Sequence, residues 1–246
     1  MSRSPQFVNS LTAFLLNLLL VSMLVVSPIS VKTTPKEDNL SSPAAENVRT
    51  TGEHPPYHSL IRQSALRYGV DYRLIYSIIQ QESRFNNEAV SEQGAMGLMQ
   101  VMPVTGADVN NDASIDHLNL PAGNIHTGIA YFSSLMELFK NATPEDQIKL
   151  SLAAYNAGPS RIYDAMEIAA YMGESPLKWA PVKNALPLLS RRYYTLHCAI
   201  WKTGKPRSGY FGDSRETITY VYNVSKYYSQ FCEKYDKAQR PDGISE

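Results

Sequence analysis

VDYRLIYSIIQQESRFN, residues 70–86, carries two signals at once: a helix with a defined start, and an acid set at the end of that helix's apolar face. Asp71 has the side chain of an N-cap residue, and Val70 before it is placed to pack back on Ile75 as a hydrophobic staple. The spacing predicts a helix over Tyr72 to Ser83. Within it Ile75, Ile78, Ile79 and Glu82 fall at i, i+3, i+4 and i+7, so Glu82 continues the buried stripe instead of facing water. A carboxyl in that position is partly desolvated. Desolvation disfavours the anion and raises the pKa, so the group keeps a proton near neutral pH that it can give to a leaving oxygen. Glu82 is therefore the candidate general acid. On helix position alone, a second reading stays open, in which Glu82 pairs with a nearby cation or sits at a fraying end.

Working outward, the folded part is expected to begin near His54, with Pro55 and Pro56 suited to a helix start and Gly69 to a helix stop in the left-handed conformation. NIHTGIAYFSSLMELF, Asn124 to Phe139, has helix-spaced apolar positions and reads as a core helix. A further helix is expected over Glu145 to Ala157, with acids in its first turn and Gly158 and Pro159 closing it. Between Ser91 and Met102, glycines and short apolar alternation suggest a hairpin or an irregular loop. No βαβ rhythm or repeat is present, so the fold class expected is mainly α, with a small β-hairpin or sheet next to the helix that carries Glu82.

Lys plus Arg equals Asp plus Glu at 23 each, which leaves no net positive field to hold a polyanion and argues against a nucleic-acid partner. The two cysteines, Cys198 and Cys232, lack the close histidine spacing of a zinc site, so neither metal nor other cofactor is expected; a disulfide or two buried thiols both fit. LTAFLLNLLLVSMLVVSPI, Leu11 to Ile29, is about long enough to cross a bilayer and reads as an export signal or a membrane anchor. Its ending is a poor cleavage site because Pro28 and Ile29 break the small-x-small pattern, and no cysteine directly follows it to carry a lipid. The organisation expected is a signal or anchor over 1–30, a flexible polar linker over 31–53, one folded domain over 54–235, and a polar tail over 236–246.

Four strings share the chain in a fixed order: QQESRFN at 80–86, SEQGAMGLMQVMP at 91–103, LAAYNAGP at 152–159 and ETITYV at 216–221. In that order they resemble the catalytic domain of the soluble lytic transglycosylases. The pair GAMGLMQ and AYNAG is the distinctive part, since ES on a helix is common. WAPVKNALPLLSRRYY from Trp179 and ETITYVYNVSKYY from Glu216 are similar to the catalytic domain of the membrane-bound lytic murein transglycosylase F type. The likeness runs from about Tyr57 to Tyr228.

That resemblance implies a lysozyme-like fold, export to the periplasm or to a membrane facing the wall, and cleavage of peptidoglycan glycan strands at the MurNAc–GlcNAc bond with formation of 1,6-anhydroMurNAc. It implies Glu82 as the single acid/base. Ser83, Ser91, Gln100, Met102, Tyr155, Asn156, Glu216 and Tyr220 then match positions lining the cleft, where amides and hydroxyls bond sugar substituents while Tyr and Met offer apolar faces to pyranose rings. Plainer roles remain open for several of them. Met102 can be core, Tyr155 and Asn156 can close a helix end, and Gly94 and Gly97 can serve turns. Asn87 departs from the family pattern, which commonly has Pro there, and the role of 165–214 as cleft wall or added core is undecided. A hydrolytic muramidase would need a second carboxylate, for which Glu92 is the near candidate. A non-catalytic peptidoglycan-binding assembly protein would keep the cleft without the acid.

Overall fold

The computed structural model describes residues 55–109 and 115–238, all within one folded unit spanning 48–246. The expected export segment Leu11–Ile29, the linker, and the tail beyond residue 238 lie outside the described residues. Among those described, no helix is long and apolar enough to cross a membrane.

Helix α1, His58–Tyr68, stops where the sequence predicts: Gly69 takes φ 65°, and its N–H returns to the carbonyls of Ala65 and Leu66. Helix α2, Tyr72–Glu82, starts on the Asp71 side chain, which accepts from the Arg73 N–H at 2.9 Å. The same carboxylate holds the Arg73 guanidinium at 2.7 Å and the Tyr228 hydroxyl at 2.9 Å. Together the guanidinium, the N–H and the phenol hold Asp71 below its ordinary carboxylate range, against the opposing effect of burial. Ile75, Ile78 and Ile79 are fully buried, as the stripe requires.

After α3, Pro103–Val109, and α4, Ile115–Asn119, the core helix α5 spans Pro121–Leu138. It begins earlier than the apolar pattern suggests because Pro121 supplies a first helical residue with φ already set. Helix α6, Pro144–Ala157, is capped by Thr143 and stops at Gly158, and Pro159 immediately opens α7, Pro159–Tyr171. Then come α8, Trp179–Ala185, two 3₁₀ turns, α9, Tyr194–Ile200, and the long α10, Ser214–Ala238. The domain boundary expected at 235 thus falls inside a helix. The most extensive helix pairing is α10 on α2, with α10 also against α6, and α5 joining α1 to α6. The pair runs antiparallel, since Glu82 meets Tyr220 while Asp71 meets Tyr228.

The small β element expected beside α2 is present only as isolated bridges. Among the described residues there are two isolated antiparallel bridges, Val90 with Met96 and Met96 with Val101, and no strand. The reason is local: Gly97 at φ 72° and Gln100 at φ 48° bend the chain too often for a ladder to extend. A side chain takes the place of the missing strand. Asn124 of α5, fully buried, accepts from the Met99 N–H at 2.8 Å and donates to the carbonyls of Met96 at 2.8 Å and Leu118 at 3.1 Å.

The segment 165–214 adds core. Ile168, Trp179, Val182, Leu186, Leu189 and Trp201 are buried in it. Its last loop is tied to α7: Asp164 accepts from the N–H groups of Arg207 and Ser208, and Glu167 holds the Arg207 guanidinium at 3.1 Å and the Trp201 indole N–H. Cys198 and Cys232 form no disulfide, and neither is fully buried, Cys198 being exposed.

Candidate active site

A cleft of about 610 Å³ opens between the end of α2 and the start of α10, lined by Gln81, Glu82, Asn156, Asp213, Arg215, Glu216, Thr219 and Tyr220. Glu82 is the last residue of α2, and the next three residues leave the helical conformation at once. The Ser83 hydroxyl lies 2.8 Å from the Leu98 carbonyl, to which it donates, and 3.3 Å from that of Ile79. Arg84 and Phe85 then take φ 53° and 65°, left-handed values that side chains seldom adopt, so the helix cannot continue past the acid.

Burial pushes the Glu82 carboxyl up from 4.5 to about 7; the Tyr220 hydroxyl pulls it partly back, and the charge of Glu216 adds to the rise. Tyr220 donates to Glu82 Oε1 at 2.7 Å. Burial and the neighbouring Glu82 charge keep that phenol well above its ordinary range, so it is a neutral donor at any working pH. Tyr155 is likewise held neutral by burial and bonds the Met99 carbonyl at 2.8 Å.

Of the residues singled out from sequence, Glu82, Asn156, Glu216 and Tyr220 meet in the cleft. Ser83, Ser91, Gln100 and Tyr155 spend polar groups on backbone instead. Ser91 Oγ accepts from the Ala95 N–H at 2.9 Å, and Gln100 Nε2 donates to the carbonyls of Ala89 and Gly97 at 3.0 and 2.9 Å. They shape the loop of residues 89–101, whose Leu98 and Met99 carbonyls accept from Ser83 and Tyr155. Met102 is half-buried at the entry to α3 and is not among the cleft-lining side chains.

The second carboxylate near Glu82 is not Glu92. That residue is exposed on the loop and is absent from the lining, whereas Glu216 lines the cleft and its charge reaches Glu82. Sequence distance hides this, because 134 positions separate two residues that the antiparallel α2–α10 pairing brings together. Gln81, Asp213, Arg215 and Thr219 also escape a reading of the sequence. The first is adjacent to the acid, and the others flank ETITYV or lie within it, so proximity to the motifs is the only signal for them. Among the described residues, no group of His, Cys, Asp and Glu could hold a metal ion.

Comparison with known proteins agrees with this arrangement. Residues 59–175 match the family model of the transglycosylase SLT domain. The membrane-bound lytic murein transglycosylase F of Desulfosudis oleivorans is 32% identical over 181 residues, 73% of this chain and 37% of that protein. Its counterpart in Hahella chejuensis is 34% identical over 175 residues, 71% of this chain and 32% of that protein. The chain thus spans about a third of the length of these curated relatives. Among solved structures, the 70 kDa soluble lytic transglycosylase of Escherichia coli superposes with a TM-score of 0.51 at 25% identity, over 77% of this chain and 26% of that one. Residues 59–175, just under half of the chain, are thus similar to the transglycosylase SLT domain family.

Proposed function

We propose that this protein is a peptidoglycan lytic transglycosylase in which Glu82 acts alone as acid and then base. The observation that carries the reading is one acid, Glu82, pushed up to about 7 by burial, at the wall of a cleft with one of its oxygens held by a neutral phenol. Tyr220 occupies Oε1, which leaves Oε2 to carry the proton. That proton passes to O4 of GlcNAc as the bond from C1 of MurNAc breaks. The C6 hydroxyl of the same MurNAc then bonds to C1 and returns its proton to the carboxylate, closing a 1,6-anhydro ring without water. A nucleophile carried in the reacting ring has the entropic advantage of an intramolecular reactant, provided the ring distorts to bring it near C1. The names of the relatives, lytic murein transglycosylases, support the same substrate.

Glu216 is the discriminating residue. In a hydrolytic muramidase a second carboxylate activates water or acts as nucleophile, and Glu216 is the acid in position to try. Mass spectrometry of muropeptides released by Glu216→Gln is expected to show 1,6-anhydroMurNAc ends, as with the wild type. The alkaline limb of the pH–rate profile should move to lower pH, because the charge that helps hold the proton on Glu82 is gone. Reducing MurNAc ends from the wild type that disappear in Glu216→Gln would establish the two-carboxylate hydrolase instead.

The site must face the wall, and the relatives carry membrane-bound in their names. We therefore infer that Leu11–Ile29 exports the domain to the periplasmic side and holds it at a membrane. A reporter enzyme active only outside the cytoplasm, fused after Glu246, should be active; a silent reporter beside an active cytoplasmic one would overturn the localisation.

A further inference from the structure

Asn156 sits in the last turn of α6, and its side chain forms part of the cleft wall near Glu82. An Asn amide has an accepting end and a donating end, and the end turned to the cleft decides what it can bind. Thr217, one residue past Glu216 on α10, is 1% exposed, and its hydroxyl donates to Asn156 Oδ1 at 2.7 Å. That length is usual for an O–H···O bond and short for N–H···O. The bond commits the carbonyl end to α10. Among the described residues, no protein acceptor takes the Nδ2 hydrogens, so they are left to the cleft.

The remaining cleft groups narrow the ligand. Glu82, Asp213 and Glu216 accept when ionised and can bind sugar hydroxyls, which are donors as well as acceptors; Gln81, Thr219 and Arg215 are further donors, with Arg215 beside Asp213 at 3.6 Å. Tyr220 has its hydroxyl committed to Glu82. A neutral amide donor held in one orientation suits an acceptor-only oxygen, and on an N-acetylated glycan the strongest such acceptor is the acetamido carbonyl, the ring and bridging ether oxygens accepting more weakly. We propose that Thr217 is a positioning residue that fixes Asn156 to read this carbonyl, so that the pair selects N-acetylated sugars over unsubstituted ones. This rests on the glycan-cleaving reading of the same cleft.

The test is binding of two neutral oligosaccharides, tetra-N-acetylchitotetraose and cellotetraose, measured by calorimetry on the full chain. Both have β-1,4-linked pyranose rings; only the first has acetamido groups. The wild type should prefer the first. Thr217→Val keeps the shape and removes the donor, so the amide is free to turn. It should weaken the chitotetraose by roughly fivefold, the usual worth of one neutral hydrogen bond, and leave cellotetraose unchanged. Thr217→Ser, which keeps the hydroxyl, should stay within about twofold of the wild type, and an unaltered melting curve in both variants separates positioning from folding. Equal weakening of both sugars in Thr217→Val, or no weakening of either, overturns the inference while anhydro products from the wild type leave the proposed activity standing. A wild type that releases no anhydro products overturns the activity itself.

Discussion

Glu82→Gln should keep the fold and lose wall-degrading activity by about 10² to 10⁴, the usual worth of a positioned general acid. The amide matches the carboxyl in shape and still accepts from Tyr220, whose bond to Oε1 is 2.7 Å. It has no transferable proton. The wild-type rate should fall as pH rises above about 7, where the carboxyl ionises. The same variant carries a stability signature. The folded-state pKa of Glu82 is raised, so the folded protein holds the proton while the unfolded chain releases it. Stability is therefore fullest below the ordinary value of 4.5, declines as pH rises toward about 7, and levels off above. A displacement of that size corresponds to at most roughly 3 kcal/mol, and part of it is offset by solvent at the cleft mouth. Glu82→Gln, which never ionises, should then unfold at higher denaturant than the wild type at pH 8, with the gap closing near pH 4. Near wild-type turnover in a folded variant would remove Glu82 from the chemistry; activity lost only in step with stability would make it a structural residue.

The helix that carries the acid is legible in the sequence because its signals are local. An N-cap at Asp71, a stop at Gly69 and an apolar stripe ending in Glu82 depend on neighbours a few positions away, and the structure has all of them. The raised pKa of Glu82 comes from the same stripe, since burial is its largest cause. The illegible part depends on the tertiary meeting of distant segments. Nothing in ETITYV states that Glu216 approaches Glu82 or that Thr217 bonds Asn156; the α2–α10 and α6–α10 packings decide both. Gln100 shows the complementary limit. Its amide reads as a sugar-binding group, yet the bends at Gly97 and Gln100 leave carbonyls within reach of Nε2, and the backbone takes it. Of the hairpin and the irregular loop that the sequence allows over 91–102, the structure has a loop with isolated bridges, because apolar alternation specifies which faces are buried and not whether a partner strand exists.

Asn124 replaces that partner strand, and its removal should be the costliest single change outside the catalytic acid. It is fully buried in α5 and serves three backbone groups of two other segments: the Met99 N–H, the Met96 carbonyl and the Leu118 carbonyl. Truncation leaves the Met99 N–H and the Leu118 carbonyl without this partner, while the Met96 carbonyl keeps the Val101 N–H at 3.0 Å, and each buried unsatisfied group costs about 1–3 kcal/mol. The losses are not additive because the loop can shift toward water, so Asn124→Ala is expected to destabilise by about 3–5 kcal/mol in chemical denaturation. Asn124→Asp keeps the acceptor for Met99 but sets an anion against two carbonyls, and should be at least as damaging at pH 8. Activity should suffer beyond the loss of folded protein. The loop that Asn124 holds supplies the Leu98 carbonyl that bonds Ser83, the residue next to Glu82, and the Met99 carbonyl that bonds Tyr155, whose hydroxyl feels the Glu82 charge. A destabilisation below about 1 kcal/mol would mean that the loop of residues 89–101 is held by its own turns, and that the side chain of α5 merely fills space beneath it.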